Sequence, residues 1–187
     1  MDTEYKLLIG EQWRESAKRM EVRNPYNDEV VGVVHRGAER EIDEAIVKAV
    51  RAFEVTKRLP THRRAEILHK VAGRIRDRQE ELERTIALEA GKTITDSRVE
   101  VERAVNTFTI AAEEAKRIEG EVIALDLLPA SADRLGLTRR FPVGPMAGIC
   151  PFNFPLNLVA HKVAPSIASG NTIIIKPASA TPITALL

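Results

Sequence analysis

The chain of 187 residues holds one cysteine, Cys150, which excludes an internal disulfide framework and suits a reducing compartment. No apolar run approaches the roughly 20 residues that a membrane span needs. The opening Met1-Asp2-Thr3-Glu4-Tyr5-Lys6 is charged and lacks the apolar stretch of a signal peptide. Neither sign of charge is in excess: Lys and Arg number 28 against 27 Asp and Glu, a net +1, so bulk charge points to no nucleic-acid or membrane partner. The four histidines, His35, His62, His69 and His161, do not fall at metal-ligand spacing, and no cysteine or carboxylate cluster supports a metal. Gly144 and Gly148 do not complete G-x-G-x-x-G, so the usual dinucleotide fingerprint is missing. There is no internal repeat and no low-complexity segment. These absences lead us to expect a soluble, cytoplasmic protein.

What is present is enough for one domain or a little more, with 44% apolar residues to supply a core. Residues 5–36 read as short strands: Tyr5–Ile9 before Gly10, then Trp13, then the turn cluster Asn24-Pro25-Tyr26-Asn27-Asp28 and Val30–Val34. A small meander is expected there. Three helices follow by their 3.6-residue periodicity. The first starts near Glu39 with Ile42, Ala45, Ile46, Ala49, Val50 and Phe53 on one stripe. The second runs from Thr61, a candidate cap, to Ala90, with Ile67, Leu68, Val71, Ile75, Leu82 and Ile86 inward and an interruption at Gln79. The third spans about Ile94 to Ile118, with Val101, Val105, Phe108, Ala112 and Ala115 inward. Charge runs such as Arg74–Arg78 read as solvated faces.

Residues 121–141 form a plausible hairpin around Pro129-Ala130-Ser131-Ala132-Asp133, apolar enough to need a cover such as a second subunit. From Arg139 to Thr181 the pattern is strand, turn, helix, strand, turn. Met146–Cys150 leads into Pro151-Phe152-Asn153-Phe154-Pro155, Leu156–Ala168 follows, and Thr172–Lys176 leads into Pro177-Ala178-Ser179. Short β-branched runs between turns suit strands buried on both faces, and two of them joined by a helix make a βαβ unit with ligands at the strands' carboxyl ends. Thr181-Pro182 opens another helix, cap then proline. Two parallel strands make a very small sheet, so we expect the chain to be the front part of a longer one. The expected division is 1–120 for hairpins and helices, 121–141 for the oligomerisation hairpin, and 142–187 for the first βαβ of a cofactor domain.

Several residues could carry chemistry. Asn153, bracketed by phenylalanines and prolines, is either a turn asparagine bonding its own backbone or an amide held to donate to an oxyanion. Lys176, ending an apolar strand, either snorkels to water or meets a nucleotide's phosphate or ribose. Cys150 has no charged neighbour in sequence to lower its pKa and reads as a buried structural thiol rather than a nucleophile. Ser179 is small and neutral where a ribose-binding carboxylate could stand. Arg103 and His161, taken alone, are surface or packing residues.

The stretch FPVGPMAGICPFNFPLNLVAHKVAPSIASGNTIIIKPASATP resembles the amino-terminal cofactor segment of NAD(P)-dependent aldehyde dehydrogenases. The opening hairpin with Asn24-Pro25, the helix carrying Glu89-Ala90-Gly91-Lys92 and the 121–141 hairpin agree in order. The resemblance implies an α/β fold with an incomplete Rossmann-like cofactor domain, amino-terminal helices and an oligomerisation hairpin, and a homo-oligomer. It implies oxidation of a small aldehyde to its acid with NADP or NAD, through a cysteine thiohemiacetal. By motif position Asn153 is the oxyanion-hole amide. Ile149, Cys150, Pro151, Phe152 and Asn153 itself line the cofactor, while Lys176, Pro177, Ala178 and Ser179 meet its ribose. Serine at 179, where NAD-using members often carry glutamate, removes repulsion of a 2′-phosphate and favours NADP. Arg103 is similar in position to an arginine that contacts anionic substrates in some relatives. His161 stands where succinate-semialdehyde members tend to carry arginine, and PLNLVAHK also resembles the lactaldehyde branch. The family's catalytic cysteine, general-base glutamate and G-x-T-x-x-G turn have no counterpart here. The alternatives are a CoA-acylating relative and a non-catalytic binding or oligomerisation module.

Overall fold

Residues 4–187 are described by the computed structural model, so the reading of Met1–Thr3 lies outside the described residues. Four helices supply the main core: α2 (Thr61–Asp77), α3 (Gln79–Ala90), α4 (Ile94–Ala115) and α5 (Asn157–Ala168), with α1 (Glu39–Thr56) preceding them. Leu68 and Ile86 are fully buried, and Val101 and Phe108 pack with them. Where α4 meets α5 the buried residues are mostly alanines: Ala104, Ala111, Ala112 and Ala115 on one, Ala160, Ala164 and Ala168 on the other. Small side chains let the two backbones approach closely. Thr107 Oγ1 lies 3.2 Å from Asn157 Oδ1 and marks that approach.

The single helix expected over Thr61–Ala90 is two helices. Arg78, with φ −106° and ψ 21°, ends α2 and begins α3. Its guanidinium turns forward onto Glu81, donating at 2.7 and 2.9 Å, and the break lets Leu68 and Leu82 join one core. Pro60 rather than Thr61 occupies the cap position; the Thr61 hydroxyl instead accepts from Arg64 at 3.3 Å. Helix α3 stops at Gly91, whose φ of +65° suits glycine, and a Cβ there would meet Pro25 Cγ at 2.6 Å. Helix α4 begins with Thr93, whose hydroxyl accepts from Asp96 N at 3.1 Å, and it ends at Ala115, short of Ile118.

The expected meander is more complicated. Strand β1 (Glu4–Tyr5) pairs in parallel with β5 (Val30–His35), and β5 pairs antiparallel with β4 (Arg19–Arg23). Strands β2 (Leu7–Ile9) and β3 (Gln12–Arg14) form a separate hairpin. Gly32 makes room for this crossing, since a Cβ there would meet the Tyr5 ring at 2.8 Å. Strands β6 (Val122–Ala124) and β7 (Leu135–Leu137) form an antiparallel hairpin that leaves Val122, Leu127, Leu128, Leu135 and Leu137 exposed.

Strands β8 (Pro145–Ile149) and β9 (Thr172–Lys176) are parallel, in register from Pro145↔Thr172 to Ile149↔Lys176, and are joined through α5. Helix α1 packs on this pair, and Thr172 Oγ1 donates to Ala49 O at 2.9 Å. The six-residue stripe read on α1 is only partly buried. Ala49 is covered and Ala45 and Phe53 are half-covered, while Ile42, Ile46 and Val50 are exposed. Two strands offer too narrow a surface to cover the whole stripe. The final segment, α6 (Ile183–Leu186), buries Ile183 against Val22 and Val34 of the amino-terminal sheet. Pro182 is its cap residue, and Thr181 is used elsewhere.

Because Leu68 is wholly buried in the helical core, Leu68→Ala should lower the unfolding free energy by about 2–5 kcal/mol. A urea denaturation curve measures it, and a loss below about 1 kcal/mol would contradict this packing.

Candidate functional site

The carboxyl ends of β8 and β9 lie side by side, so the turns that follow them are neighbours. Cys150 N donates to Lys176 O at 3.0 Å, extending the parallel ladder one step past β8. Beyond it, Thr181 Oγ1 donates to Phe152 O at 3.2 Å, fastening the second turn to the first. The close approach of the strands is visible at Gly148, where a Cβ would meet Ile175 Cδ1 at 2.6 Å.

The first turn is held on its far side by α4. The buried carboxylate of Glu100 accepts from Leu156 N at 2.9 Å and Asn157 N at 3.2 Å through Oε1. Its Oε2 accepts from Lys92 Nζ at 2.6 Å. The same ammonium sits 3.8 Å from the centre of the Phe154 ring, a cation–π distance. Asn153 is exposed, and its side-chain amide makes no hydrogen bond among the described residues. A turn asparagine satisfied by its own backbone is therefore not what the structure contains. With Leu156 N and Asn157 N already taken by Glu100, the first turn of α5 offers fewer free donors to a phosphate, in keeping with the missing glycine-rich fingerprint.

Ile149, Pro151 and Phe152 are exposed around Asn153, an apolar shelf at the strand ends. Lys176 is exposed, with Nζ donating to Pro177 O at 2.9 Å; Pro177 and Ala178 are half-buried and Ser179 is exposed. This group fits a flat ligand with hydroxyl or phosphate substituents: an apolar shelf for a ring, one cation, one small neutral hydroxyl and no carboxylate.

Cys150 is buried, and burial pushes its thiol up, opposed by the charges of Lys162 and Lys176. A raised, enclosed thiol is a poor nucleophile. In native protein at neutral pH, iodoacetamide should alkylate Cys150 more than about tenfold more slowly than in urea-unfolded protein. Mass spectrometry of timed samples reads this, and equal rates would contradict the burial.

His161 and Arg103 are not brought into one cluster. His161 lies in an open groove of about 610 Å³ between α4 and α5, with Thr107, Ile110, Arg117, Arg140 and Pro165. Arg103 is exposed one helical turn before Thr107, its carbonyl accepting from Thr107 Oγ1 at 2.9 Å, and it does not line that groove. It precedes Thr107 by about 6 Å along α4, by helix rise.

With this geometry in place, residues 13–187 match the family model "Aldehyde dehydrogenase family". The chain belongs to the aldehyde dehydrogenase family. The 3-sulfolactaldehyde dehydrogenase of Priestia megaterium is 41% identical over 183 residues, which cover 98% of this chain and 38% of that protein. The crystal structure of aldehyde dehydrogenase 21 from Physcomitrella patens, in complex with the reaction product succinate, superposes with TM-score 0.96 at 40% identity. That match covers all of this chain and 39% of the other. The glyceraldehyde-3-phosphate dehydrogenase of Methanocaldococcus jannaschii, complexed with NADP, gives TM-score 0.85 at 45% identity over 92% of this chain and 36% of the other. This aldehyde dehydrogenase family chain thus spans a little over a third of the length of the relatives it matches, and its mixed α/β fold is theirs over that length.

The sequence reading missed the carboxylates that support the turns. Glu100 falls one helical turn before Ala104 and two before Phe108, on the buried stripe of α4, and that placement was a usable signal. Glu89 falls likewise, three residues after Ile86. Its Oε2 accepts from Ile183 N at 2.8 Å and its Oε1 from Thr184 N at 3.0 Å and from the Thr184 hydroxyl. Asn171 was also missed; its Oδ1 accepts from Gly144 N at 2.9 Å, leading the chain into β8.

Burial pushes the Glu89 carboxyl above its usual range, hydrogen bonds from Thr184 and Ile183 oppose this, and the Glu100 charge adds to the rise. A raised native value means the folded chain keeps a proton that the unfolded chain releases. That stabilisation is complete below the ordinary glutamate pKa of about 4.3 and is lost as pH rises through the native value. Glu89→Gln should therefore flatten the decline of stability over that interval. Urea unfolding at a series of pH values measures it, and an unchanged slope would refute the assignment.

Proposed function

We propose that the polypeptide carrying this chain oxidises an aldehyde to a carboxylic acid with NADP, or with NAD, and that these residues contribute the oxyanion donor and the adenosine end of the cofactor seat. The observation that supports this most is Asn153: an unbonded amide at the carboxyl end of β8, in a turn tethered on both sides. Nucleophilic attack on an aldehyde carbon places negative charge on its oxygen. A donor already fixed where that charge develops lowers the barrier without reorganising. The nicotinamide, when bound, takes up the hydride.

Ile149, Cys150, Pro151 and Phe152 line the cofactor in this reading, and Lys176, Pro177, Ala178 and Ser179 receive its ribose. Serine at 179 offers no negative charge to a 2′-phosphate, which favours NADP; a relative of similar fold is complexed with NADP. The names of three relatives carry sulfonate, phosphate or succinate. An anionic aldehyde suits the exposed Arg103, with His161 lining the groove between α4 and α5. We assign 1–120 to the hairpins and helices, 121–141 to a hairpin that buries its exposed leucines in a homo-oligomer, and 142–187 to the first βαβ of the cofactor domain. Among the described residues no helix is long and apolar enough to cross a membrane. The lone unpaired cysteine is compatible with a cytoplasmic setting.

The test uses a polypeptide in which this chain is accompanied by the remaining length its relatives have. Aldehyde-dependent reduction of NADP should exceed that of NAD, followed by nicotinamide absorbance. Asn153→Ala should lower kcat about 100- to 1,000-fold with cofactor affinity kept, as for loss of one oxyanion donor. A strong NAD preference would overturn the Ser179 reading, and an unaltered kcat would overturn that of Asn153.

A further inference from the structure

Both immediate neighbours of Asn153, and the residues just beyond the two prolines, are tied to something else. Cys150 is bonded to Lys176 by its backbone, Phe152 accepts from Thr181, Phe154 lies under the Lys92 ammonium, and Leu156 and Asn157 donate to Glu100. Three of these ties converge on one ion pair. Glu100 is fully enclosed and Lys92 nearly so, their side chains 0% and 19% exposed. Lys92 lies between α3 and α4 and Glu100 in the second turn of α4, both outside the βαβ unit they hold.

An ion pair removed from water gains little stability over apolar residues of the same shape, and breaking it by removing one partner is costly. Its geometry is more telling than its strength. Glu100 presents one oxygen to two successive backbone amides just past the turn and the other to the lysine. The lysine then covers the ring beside Asn153. The backbone amides of Leu156 and Asn157 and the ring of Phe154 are thereby held from a single point on a helical scaffold.

We propose that Glu100 and Lys92 act as one clamp that positions the Asn153 amide for the oxyanion. This rests on the reading of Asn153 as the oxyanion donor. The clamp makes no contact with substrate or cofactor; it acts through the backbone of the turn. Misplacing a catalytic group by about 1 Å can cost about 100-fold in rate while leaving ground-state binding intact, so the clamp's signature is a loss in kcat without a matching loss in affinity.

Glu89 provides the internal control. It is an equally buried carboxylate on α3, and it accepts two backbone amides and a hydroxyl from Ile183 and Thr184, after the Lys176–Ser179 turn. It holds the segment after the ribose-side turn directly and reaches Asn153 only at one remove, through Thr181 and Phe152. Disturbing it should weaken NADP binding and leave the chemical step nearly unaltered.

In the full-length protein, Lys92→Met and Glu100→Gln should each lower single-turnover NADP reduction about 10- to 100-fold. The KM for aldehyde and the Kd for NADP should stay within about twofold. Lys92→Arg, which keeps a cation able to pair and stack, should restore most of the rate. Combined with Asn153→Ala, Lys92→Met should cost little more than Asn153→Ala alone, since both remove the same function. Glu89→Gln should raise the NADP Kd with less than a twofold change in the single-turnover rate. Amide hydrogen exchange at Leu156 and Asn157 should accelerate in Lys92→Met and Glu100→Gln and not in Glu89→Gln. If Glu100→Gln does not fold, Lys92→Met and its arginine counterpart decide alone.

Additive losses in the double variant, or equal losses of rate and affinity in the Glu100 and Glu89 variants, would reduce the pair to a structural contact and overturn the proposal. If Asn153→Ala slows the enzyme and Lys92→Met does not, the clamp alone falls. If Asn153→Ala keeps full rate, the oxyanion reading falls and the clamp's role with it.

Discussion

A carboxylate enclosed by protein must find donors to replace the water it has lost, and the arrangement of donors around Glu100 organises much of this chain. Its stripe on α4 is otherwise Val101, Ala104, Phe108, Ala112 and Ala115, all buried. Being buried there, the charge takes what is in reach: the ammonium of Lys92 and the two amides that open α5. An unmet buried charge costs several kcal/mol, so the position of α5 relative to α4 is strongly constrained. The alanines between the two helices permit the close approach, and Glu100 sets where along the helix it occurs.

The same need is met again by Glu89, which takes Ile183 N and Thr184 N. Two buried acids at the two sides of the Gly91 turn thus hold the segments that follow β8 and β9. The parallel pair is too small to define a site by itself. The helical layer supplies the rigidity that a wider sheet would give, and the two turns become one surface through Thr181 and Phe152. Cys150 is enclosed by the same packing, and burial pushes its thiol's pKa up.

The exposed apolar surfaces have a common origin. The outer stripe of α1 and the leucines of the β6–β7 hairpin are apolar by sequence and uncovered in this structure. Helix α1 covers β8 and β9 through Ala49 and its neighbours only, and a sheet of two strands cannot reach Ile42, Ile46 and Val50.

Periodicity located the helical segments, because burial of one face imposes a repeat, and short apolar runs between turn residues located the βαβ unit, although its strands are only partly buried rather than covered on both faces. The turn residues were legible for the same local reason: prolines, glycine and asparagine act within a few residues of themselves. The break at Arg78 was visible as an interruption at Gln79, but its meaning, a second helix aimed at the same core, was not. The parallel pairing of β1 with β5 was hidden, since strand partners are chosen across the fold. The roles of Glu89 and Glu100 were hidden most fully. In a charged helix a glutamate reads as solvent-facing, and only the arrival of α5 and α6, from 56 and 94 residues away, decides that it is enclosed. The sequence by itself determined the elements, the two turns and the family they resemble, because these depend on local periodicity and short motifs. Tertiary structure decided which acids are buried, that the Asn153 amide is left free and that both turns form one surface. Burial and partner choice depend on chain segments that only folding brings together.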